Sequence, residues 1–294
     1  MTEHHSQSDV FAQYFWPNKM GRMFLLALED VMGKNGVSAV LNLAKLRHLV
    51  NHYPPNNLDL GFSFEEMSGI NKALEDMYGP RGGRGLAIRA GRAGFKYALK
   101  DFGSLLGMAD LAFRLLPLGM KLKVGLNAMA DTFNKFTDQR VTLEEEADHF
   151  VYVIDRCPVC WGRHAAGPTC HAAVGLLQET VHWISGGKVF HIEEVSCAAE
   201  LSWDIFTGPV FNGRVVAVDG AKLIVMTNGS KRQVWVKDDT RLAVRGVVKP
   251  SVADVRVDDI VLVSGKVDAE GVVHAQALAG RYTCTFIIGK RPLG

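Results

Sequence analysis

The chain has 294 residues, enough for two domains of ordinary size, and its 48% hydrophobic content against 22% charged residues excludes an intrinsically disordered protein. The formal net charge of +2 gives no global signal for nucleic acid or for an anionic membrane surface. The amino terminus has no basic and apolar regions of a secretory signal, and the most apolar stretch, residues 111–129, is interrupted by proline and by charged residues. We therefore predict a cytoplasmic protein with no membrane span and no evident nucleic-acid partner, whose five cysteines stay reduced.

The first 135 residues are predicted to be mostly helical. Apolar side chains recur there at helical spacing, and glycine or proline separates the segments. Phe64-Glu-Glu66 follows Ser63, which suits an N-cap and an acidic first helical turn. The predicted helices cover residues 24–32, 37–50, 64–78, 86–100 and 105–136.

The run Gly79-Pro-Arg-Gly-Gly-Arg-Gly85 is predicted to break the helical region as a loop. Backbone amides there, with Arg81 and Arg84, suit contact with an anion such as a carboxylate or a phosphate. The run matches neither the Walker nor the dinucleotide glycine pattern. A flexible glycine-rich turn with solvated arginines is the alternative interpretation.

The pattern changes to strands after residue 140. Residues 141–143 and 150–154 predict two strands, a helix begins near Cys170 and ends at Gly186-Gly187, and residues 189–196 and 282–288 predict two more strands. Helices followed by hairpins indicate an α+β fold, in which amino-terminal helices pack on an antiparallel sheet.

Residues 201–279 differ in kind from the rest. They contain 18 valines and no cysteine, and short strand patterns alternate with turn signals at Asp219-Gly220 and Asn228-Gly229. This composition predicts a small all-β barrel or sandwich. We therefore divide the chain into a discontinuous domain, residues 1–200 with 280–294, and an inserted barrel of residues 201–279.

The two sides of the insertion join into one continuous motif. Glu194-x-x-Cys197 precedes it, and Gly280-x-x-x-Cys284-x-Phe286 follows it. Without the insertion, the two halves form a strand, a cysteine-bearing turn and a second strand of a hairpin. Cys170, with Gly175 five residues later, stands at the start of the preceding helix.

This joined pattern resembles the end of the 4-vinyl reductase domain family. That family includes bacteriochlorophyll-pathway proteins and the sensor domains of phenol- and toluene-responsive regulators, and it is distantly related to the TRAPP vesicle-tethering subunits. The resemblance covers residues 140–200 and 280–294 by motif. It implies a homodimeric domain with an apolar cavity for a small aromatic compound, an acyl chain or a tetrapyrrole.

The resemblance also implies a structural zinc site. Its ligands would be Cys170, Glu194, Cys197 and Cys284, since zinc favours four tetrahedral ligands and accepts thiolates with a carboxylate. Residues three apart on a regular strand face opposite ways, so Glu194 and Cys197 share a metal only if the chain bends near Ser196. The alternate ligands are Glu193 and the pair Cys157 and Cys160. The simpler interpretation is a set of buried free cysteines.

Aromatic residues on the helices and strands are the candidates for lining the cavity, although each also suits an ordinary core. These candidates are Phe95, Tyr97, Phe102, Phe113, Phe133, Tyr152 and Trp183.

The leading hypothesis is a zinc-stabilised binding or sensor domain for a small hydrophobic molecule. A reductase, or an accessory protein in tetrapyrrole vinyl reduction, is the first alternative. However, no dinucleotide motif, flavin motif or Ser/His/Asp set is present, and no catalytic residue is predicted. A protein-interaction scaffold acting through the inserted barrel is the second alternative.

Overall fold

The computed structural model describes residues 14–293 apart from 103–112, 114, 202, 228, 246, 248 and 281. Two predictions fall partly outside this range: the start of the helix predicted over 105–136, and Asn228 of the predicted turn. The described chain contains four α-helices, which are α1 (Asn18–Leu43), α2 (Phe64–Phe102), α3 (Leu118–Phe136) and α4 (His171–Ile184).

The strands belong to three sheets. A two-stranded sheet pairs β1 (Phe15–Pro17) with β2 (Leu60–Ser63). The four-stranded sheet has the order β3 (Val141–Glu145), β4 (His149–Ile154), β11 (Cys284–Pro292), β5 (Phe190–Ser196). The third sheet is a closed barrel of β6 (Val210–Asp219), β7 (Lys222–Thr227), β8 (Ser230–Val244), β9 (Ile260–Val267) and β10 (Val273–Gly280). The mixed α+β class is therefore confirmed.

The chain divides into two compact units. One contains Tyr14–Ala198 and Cys284–Gly294, and the described part of the other is Ala199–Thr283. Within the first unit, β11 lies between β4 and β5 and pairs with both in antiparallel fashion, so Thr285 stands opposite Ser196. The strands on either side of the insertion are thus neighbours, as the rejoined hairpin predicts. That the two ranges fold independently stays a prediction.

The four-stranded sheet presents one apolar face. Alternate residues of β4 and β11 are buried because side chains on a strand point to opposite faces in turn. This face carries Phe150, Tyr152, Ile154, Cys284, Phe286 and Ile288, each at most 5% exposed.

The loop predicted over residues 79–85 is wrong, because this run lies inside α2. Gly79 kinks the helix with a φ of 71°, and Pro80 then occupies the start of the second helical segment, where a missing N–H costs nothing. Gly83 is buried, and a Cβ atom there would lie 2.7 Å from the Glu75 Cα atom. Gly83 therefore permits close packing next to the kink.

The boundaries of the first two predicted helices are also corrected. A single helical run, α1, is kinked at Gly33, where φ is 75°, and it ends at Leu43 before residue 50. Glycine tolerates this positive φ, and the non-helical backbone at Gly33 separates two helical segments, as the predicted break requires.

The barrel has a defined strand connectivity. Antiparallel neighbours are β6 with β7, β7 with β8, β9 with β10 and β6 with β9, whereas β8 and β10 are parallel. When the barrel strands are numbered along the chain from 1 (β6) to 5 (β10), strand 3 pairs with strand 5, strand 5 with strand 4 and strand 4 with strand 1. This is the five-stranded Greek-key arrangement of the oligonucleotide/oligosaccharide-binding (OB) fold. Its interior is filled mainly by valine, including Val215, Val225, Val234, Val261 and Val263.

Candidate functional site

All five cysteines of the chain meet in one buried cluster. Cys157 and Cys160 lie in the segment after β4, Cys170 immediately precedes α4, Cys197 follows β5, and Cys284 opens β11. Each is free and at most 1% exposed. The cluster therefore ties three strands of the sheet to the start of a helix.

The sulfur atoms lie at separations that suit a shared metal ion. The Sγ–Sγ distance is 3.4 Å from Cys157 to Cys170, 3.3 Å from Cys160 to Cys284 and 3.5 Å from Cys170 to Cys284. Cys197 lies 3.6 Å from Cys170 and 4.0 Å from Cys284. Metal–thiolate bonds of about 2.3 Å in a tetrahedron place the sulfur atoms about 3.8 Å apart.

Two four-residue sets have ligand atoms within 4.8 Å of one another. One is Cys157, Cys160, Cys170 and Cys284; the other is Cys170, Glu194, Cys197 and Cys284. The sequence prediction named the second set and gave the Cys157–Cys160 pair as the alternate. Both sets share Cys170 and Cys284.

A β-bulge brings Glu194 and Cys197 to the same side. Phe286 pairs with Glu194 and Thr285 with Ser196, so Val195 is the extra residue in β5. The chain then enters a short 3₁₀ turn at Ala198–Glu200. The expected bend near Ser196 is present. Glu193, the fallback ligand, instead points outward and lies 3.1 Å from the His191 ring.

Glu194 is buried beside the thiols. One of its carboxyl oxygens accepts a hydrogen bond from the Cys170 backbone N–H at 2.8 Å. Burial, and then the negative charge of Cys197 and Cys160, raises the pKa of Glu194 to about 10. In the absence of a metal ion this carboxyl group is therefore neutral at pH 7.

The thiols divide into easily and poorly ionised members. Burial and the contact with Cys157 raise the pKa of Cys170, and burial raises that of Cys284 as well. At Cys160, the contact with Cys157 raises the pKa, but S–H···S contacts from three other cysteines outweigh it and lower the value to about 6. Mutual hydrogen bonding allows some thiolate character at neutral pH in a buried cluster.

An apolar cavity of about 120 Å³ lies beside the cluster, between the four helices and the sheet. Its wall includes the segment from Cys157 to Val159 and the first turn of α4, so residues adjacent to the thiols also border the cavity. The remaining apolar lining includes Met20, Phe24, Met67, Ala98, Met129 and Leu177.

The structure places four of the seven predicted pocket residues at this cavity, namely Phe95, Phe102, Phe133 and Tyr152. Tyr97 instead donates a hydrogen bond to Asp30, and Trp183 is 38% exposed while its ring contacts that of Phe95. Phe113 is buried outside the lining. The cavity-lining residues of α1, such as Met20 and Phe24, were not predicted, because sequence spacing does not show which helices pack against each other.

One cavity-lining residue carries an unsatisfied polar group. Tyr152 is 1% exposed, and its hydroxyl has no hydrogen-bond partner within the described ranges. Burial raises its pKa, so the phenol stays neutral. By contrast, Gln139 accepts a hydrogen bond from the Trp16 indole at 2.5 Å, and Thr180 donates to the Leu176 carbonyl. An unpaired buried hydroxyl costs free energy.

The two arginines of the predicted anion contact lie on a helix and not in a loop. Arg81 and Arg84 both lie exposed on α2. Both follow the kink at Gly79, near the start of the second helical segment, and an anion contact there stays a prediction.

Comparison with family models finds no match, and no curated protein matches. Several solved structures match. A doubly substituted variant of the Tt H-NOX domain is 16% identical, with a TM-score of 0.39, covering 61% of this chain and 86% of that one. The Fe(II) unliganded H-NOX protein from K. algicida is 13% identical, with a TM-score of 0.40, covering 63% and 91%. A third, from work on heme distortion in the H-NOX family, is 17% identical, with a TM-score of 0.40, covering 61% and 86%.

The assignment to the 4-vinyl reductase family is therefore wrong: no family model matches, and the solved structures named above are H-NOX domains. The structural zinc is corrected together with that assignment, since the resemblance was its basis and no family model matches. A short motif with cysteines at suitable spacing did not specify the family.

Heme itself does not fit the cavity of this chain. A dry cavity of about 150 Å³ holds benzene, and this one is of about 120 Å³. A macrocycle of four pyrrole rings is several times larger than one benzene ring. The same comparison of volumes disfavours a tetrapyrrole ligand.

No helix in the described ranges is long and apolar enough to cross a bilayer.

Proposed function

We propose that the unit formed by the helices and the four-stranded sheet is a binding domain for a small, mostly apolar molecule with one hydrogen-bonding group. The observation that carries this proposal is the apolar cavity; one of its lining residues, Tyr152, has a buried hydroxyl with no hydrogen-bond partner within the described ranges. The cavity volume of about 120 Å³ is close to the roughly 150 Å³ of a cavity that holds benzene, so it suits a molecule no larger than about one aromatic ring or an acyl chain of similar volume. No catalytic set lies among the residues that line it, so binding is favoured over a reductase activity.

The Ala98→Leu variant tests the cavity as a binding site. Ala98 lines the cavity from α2, and three added carbon atoms would occupy part of its 120 Å³. We expect loss of any co-purified small molecule, read by native mass spectrometry, with little change in stability because the new side chain fills existing space. Lys96→Leu, exposed on the same helix, is the control. Retention of the adduct in Ala98→Leu would place the ligand elsewhere.

The Tyr152→Phe variant tests the polar contact. Phenol and toluene have nearly the same shape, and only phenol can hydrogen-bond to the Tyr152 hydroxyl. We expect the variant to bind phenol about 2- to 10-fold more weakly and toluene at least as tightly as before, measured by calorimetric titration of the intact protein. An equal change for both compounds would show that the hydroxyl does not contact the ligand.

We propose further that the thiol cluster binds one thiophilic metal ion through Cys157, Cys160, Cys170 and Cys284. Four thiolates close a tetrahedral shell without the carboxyl group of Glu194, which already accepts the Cys170 N–H. The set predicted from sequence, with Glu194 and Cys197, is the competing arrangement. Homodimer formation and a cytoplasmic location stay predictions.

A further inference from the structure

The outer surface of β7 and β8 carries an exposed tryptophan with lysine side chains around it. In an OB fold, the face of the second and third strands is where oligonucleotides and oligosaccharides commonly bind. Here those strands are β7 and β8, which pair in antiparallel fashion from Lys222 opposite Trp235 to Thr227 opposite Ser230. Their inward residues, including Leu223, Val225, Val234 and Val236, fill the barrel core.

The outward residues of these strands combine one exposed aromatic ring with basic side chains. Trp235 is 39% exposed at the middle of the face. The ammonium groups of Lys222 and Lys237 lie 5.8 and 5.2 Å from the centroid of its ring. On β10, His274 pairs with Trp235, and the two ring centroids are 5.4 Å apart. An exposed tryptophan costs solvation free energy in the free protein, and a stacked ligand would relieve that cost.

Charge on this face is locally positive although the barrel is nearly neutral. Residues 201–279 contain ten Lys and Arg residues against nine Asp and Glu. On the outward side of the two strands, between Lys222 and Lys237, the charged residues are lysines, with Lys231 as the third. The exposed Asp238 and Asp239 follow Lys237 on β8, and the turns at the same end carry Asp219, Asp268 and Glu270, so acidic side chains border the lysines at that end of the face.

We propose that this face, defined by Lys222, Lys231, Trp235 and Lys237, binds single-stranded nucleic acid. A base stacks on Trp235 while the lysine ammonium groups contact the flanking phosphates, which is how sequence-tolerant single-strand binding works. The arrangement contains one stacking platform and three cations, so moderate affinity with little sequence preference is expected. This departs from the expectation drawn from net charge, because the positive charge is concentrated on one face.

Fluorescence anisotropy of a labelled 15-nucleotide single strand with the full-length protein tests the proposal. We expect saturable binding below about 100 µM protein, the weak end of non-specific binding. Trp235→Ala is expected to weaken it about 5- to 150-fold, and Trp235→Phe, which keeps an aromatic face, much less. Because Trp235 is partly exposed on the surface, both variants should keep the wild-type circular dichroism spectrum. Absence of binding, or equal binding by Trp235→Ala, would overturn the proposal.

Salt dependence tests the lysine contribution independently. Three phosphate contacts predict a slope of about −2 for the logarithm of the association constant against that of salt concentration. Lys237→Ala should reduce the slope by about 0.7. Arg256→Ala, an exposed charge in the loop before β9, should leave it unchanged. Competition by heparin equal to that by a single strand, with no effect of Trp235→Ala, would show general polyanion attraction and contradict the proposal.

Discussion

The Cys284→Ser variant is expected to lose the bound metal ion and to unfold with a free energy lower by about 4 kcal/mol or more, because loss of a structural metal ranks among the largest single-residue effects. Cys284 opens the central strand β11, and its Sγ atom lies 3.3 Å from that of Cys160 and 3.5 Å from that of Cys170. Elemental analysis of the desalted protein for transition metals, together with guanidinium unfolding, measures both quantities. A wild-type protein that folds stably without metal would contradict the proposal and leave the cysteines as core residues.

Single variants distinguish the two ligand sets. If the four thiolates bind the ion, Cys157→Ser should lose the metal, whereas Glu194→Gln should retain it with a small change in affinity. If the set predicted from sequence binds it, the outcomes are reversed. Cys197→Ser is the matched thiol control, since Cys197 belongs only to the set with Glu194. Cobalt(II) substitution adds a spectroscopic count of thiolate ligands that does not depend on protein stability.

The Gly175→Ala variant is expected to destabilise the helix–sheet unit by about 3 kcal/mol, since overpacking of this kind forces the backbone to move. A Cβ atom at Gly175 would lie 2.0 Å from the carbonyl oxygen of Ile88, and one at Gly91 would lie 2.0 Å from that of Ala172. These reciprocal contacts set the crossing of α2 and α4. Chemical denaturation monitored by circular dichroism measures the change.

A matched substitution separates this steric effect from helix propensity. Gly69 lies in the same helix as Gly91, and an added Cβ atom there meets nothing within 4 Å. Gly69→Ala should therefore leave stability unchanged or raise it by up to about 1 kcal/mol. A similar loss in both variants would show that the close crossing of α2 and α4 is not what limits stability.

The same helix crossing bears on the ligand site. Gly91 lines the cavity, and Gly175 lies on α4 five residues after Cys170. If α2 and α4 separate in Gly175→Ala, both the cavity wall and the position of the Cys170 thiol should change. Weaker binding of the cavity ligand together with lower metal content is the expected result.

Some features were predictable because they depend on local pattern. Residue order alone predicted three of them: the alternation in β4, the all-β barrel of residues 201–279 and the interruption of a hairpin by this insertion. Metal-ligand spacing also drew attention to Cys170, Cys197 and Cys284. It did not specify the family, because cysteines at such spacing fit more than one protein class.

The remaining features depend on contacts between distant segments. The Gly79–Gly85 run was predicted to be a loop since glycine and proline usually end helices, but Gly79 and Pro80 produce a kink that packing supports. The bulge at Val195 was expected only as a condition for metal binding. The α1 side chains at the cavity could not be identified, because helical periodicity shows that a face is buried but not against which partner.

The sequence by itself determined the α+β class and the presence of an inserted barrel, since composition and short-range periodicity control these. Only the tertiary structure decided that all five sulfur atoms meet, that Tyr152 lines the cavity with no partner for its hydroxyl among the described residues, and that β8 and β10 close the barrel in parallel. These features join residues up to 127 positions apart, as between Cys157 and Cys284, and no local pattern fixes the distance between such residues.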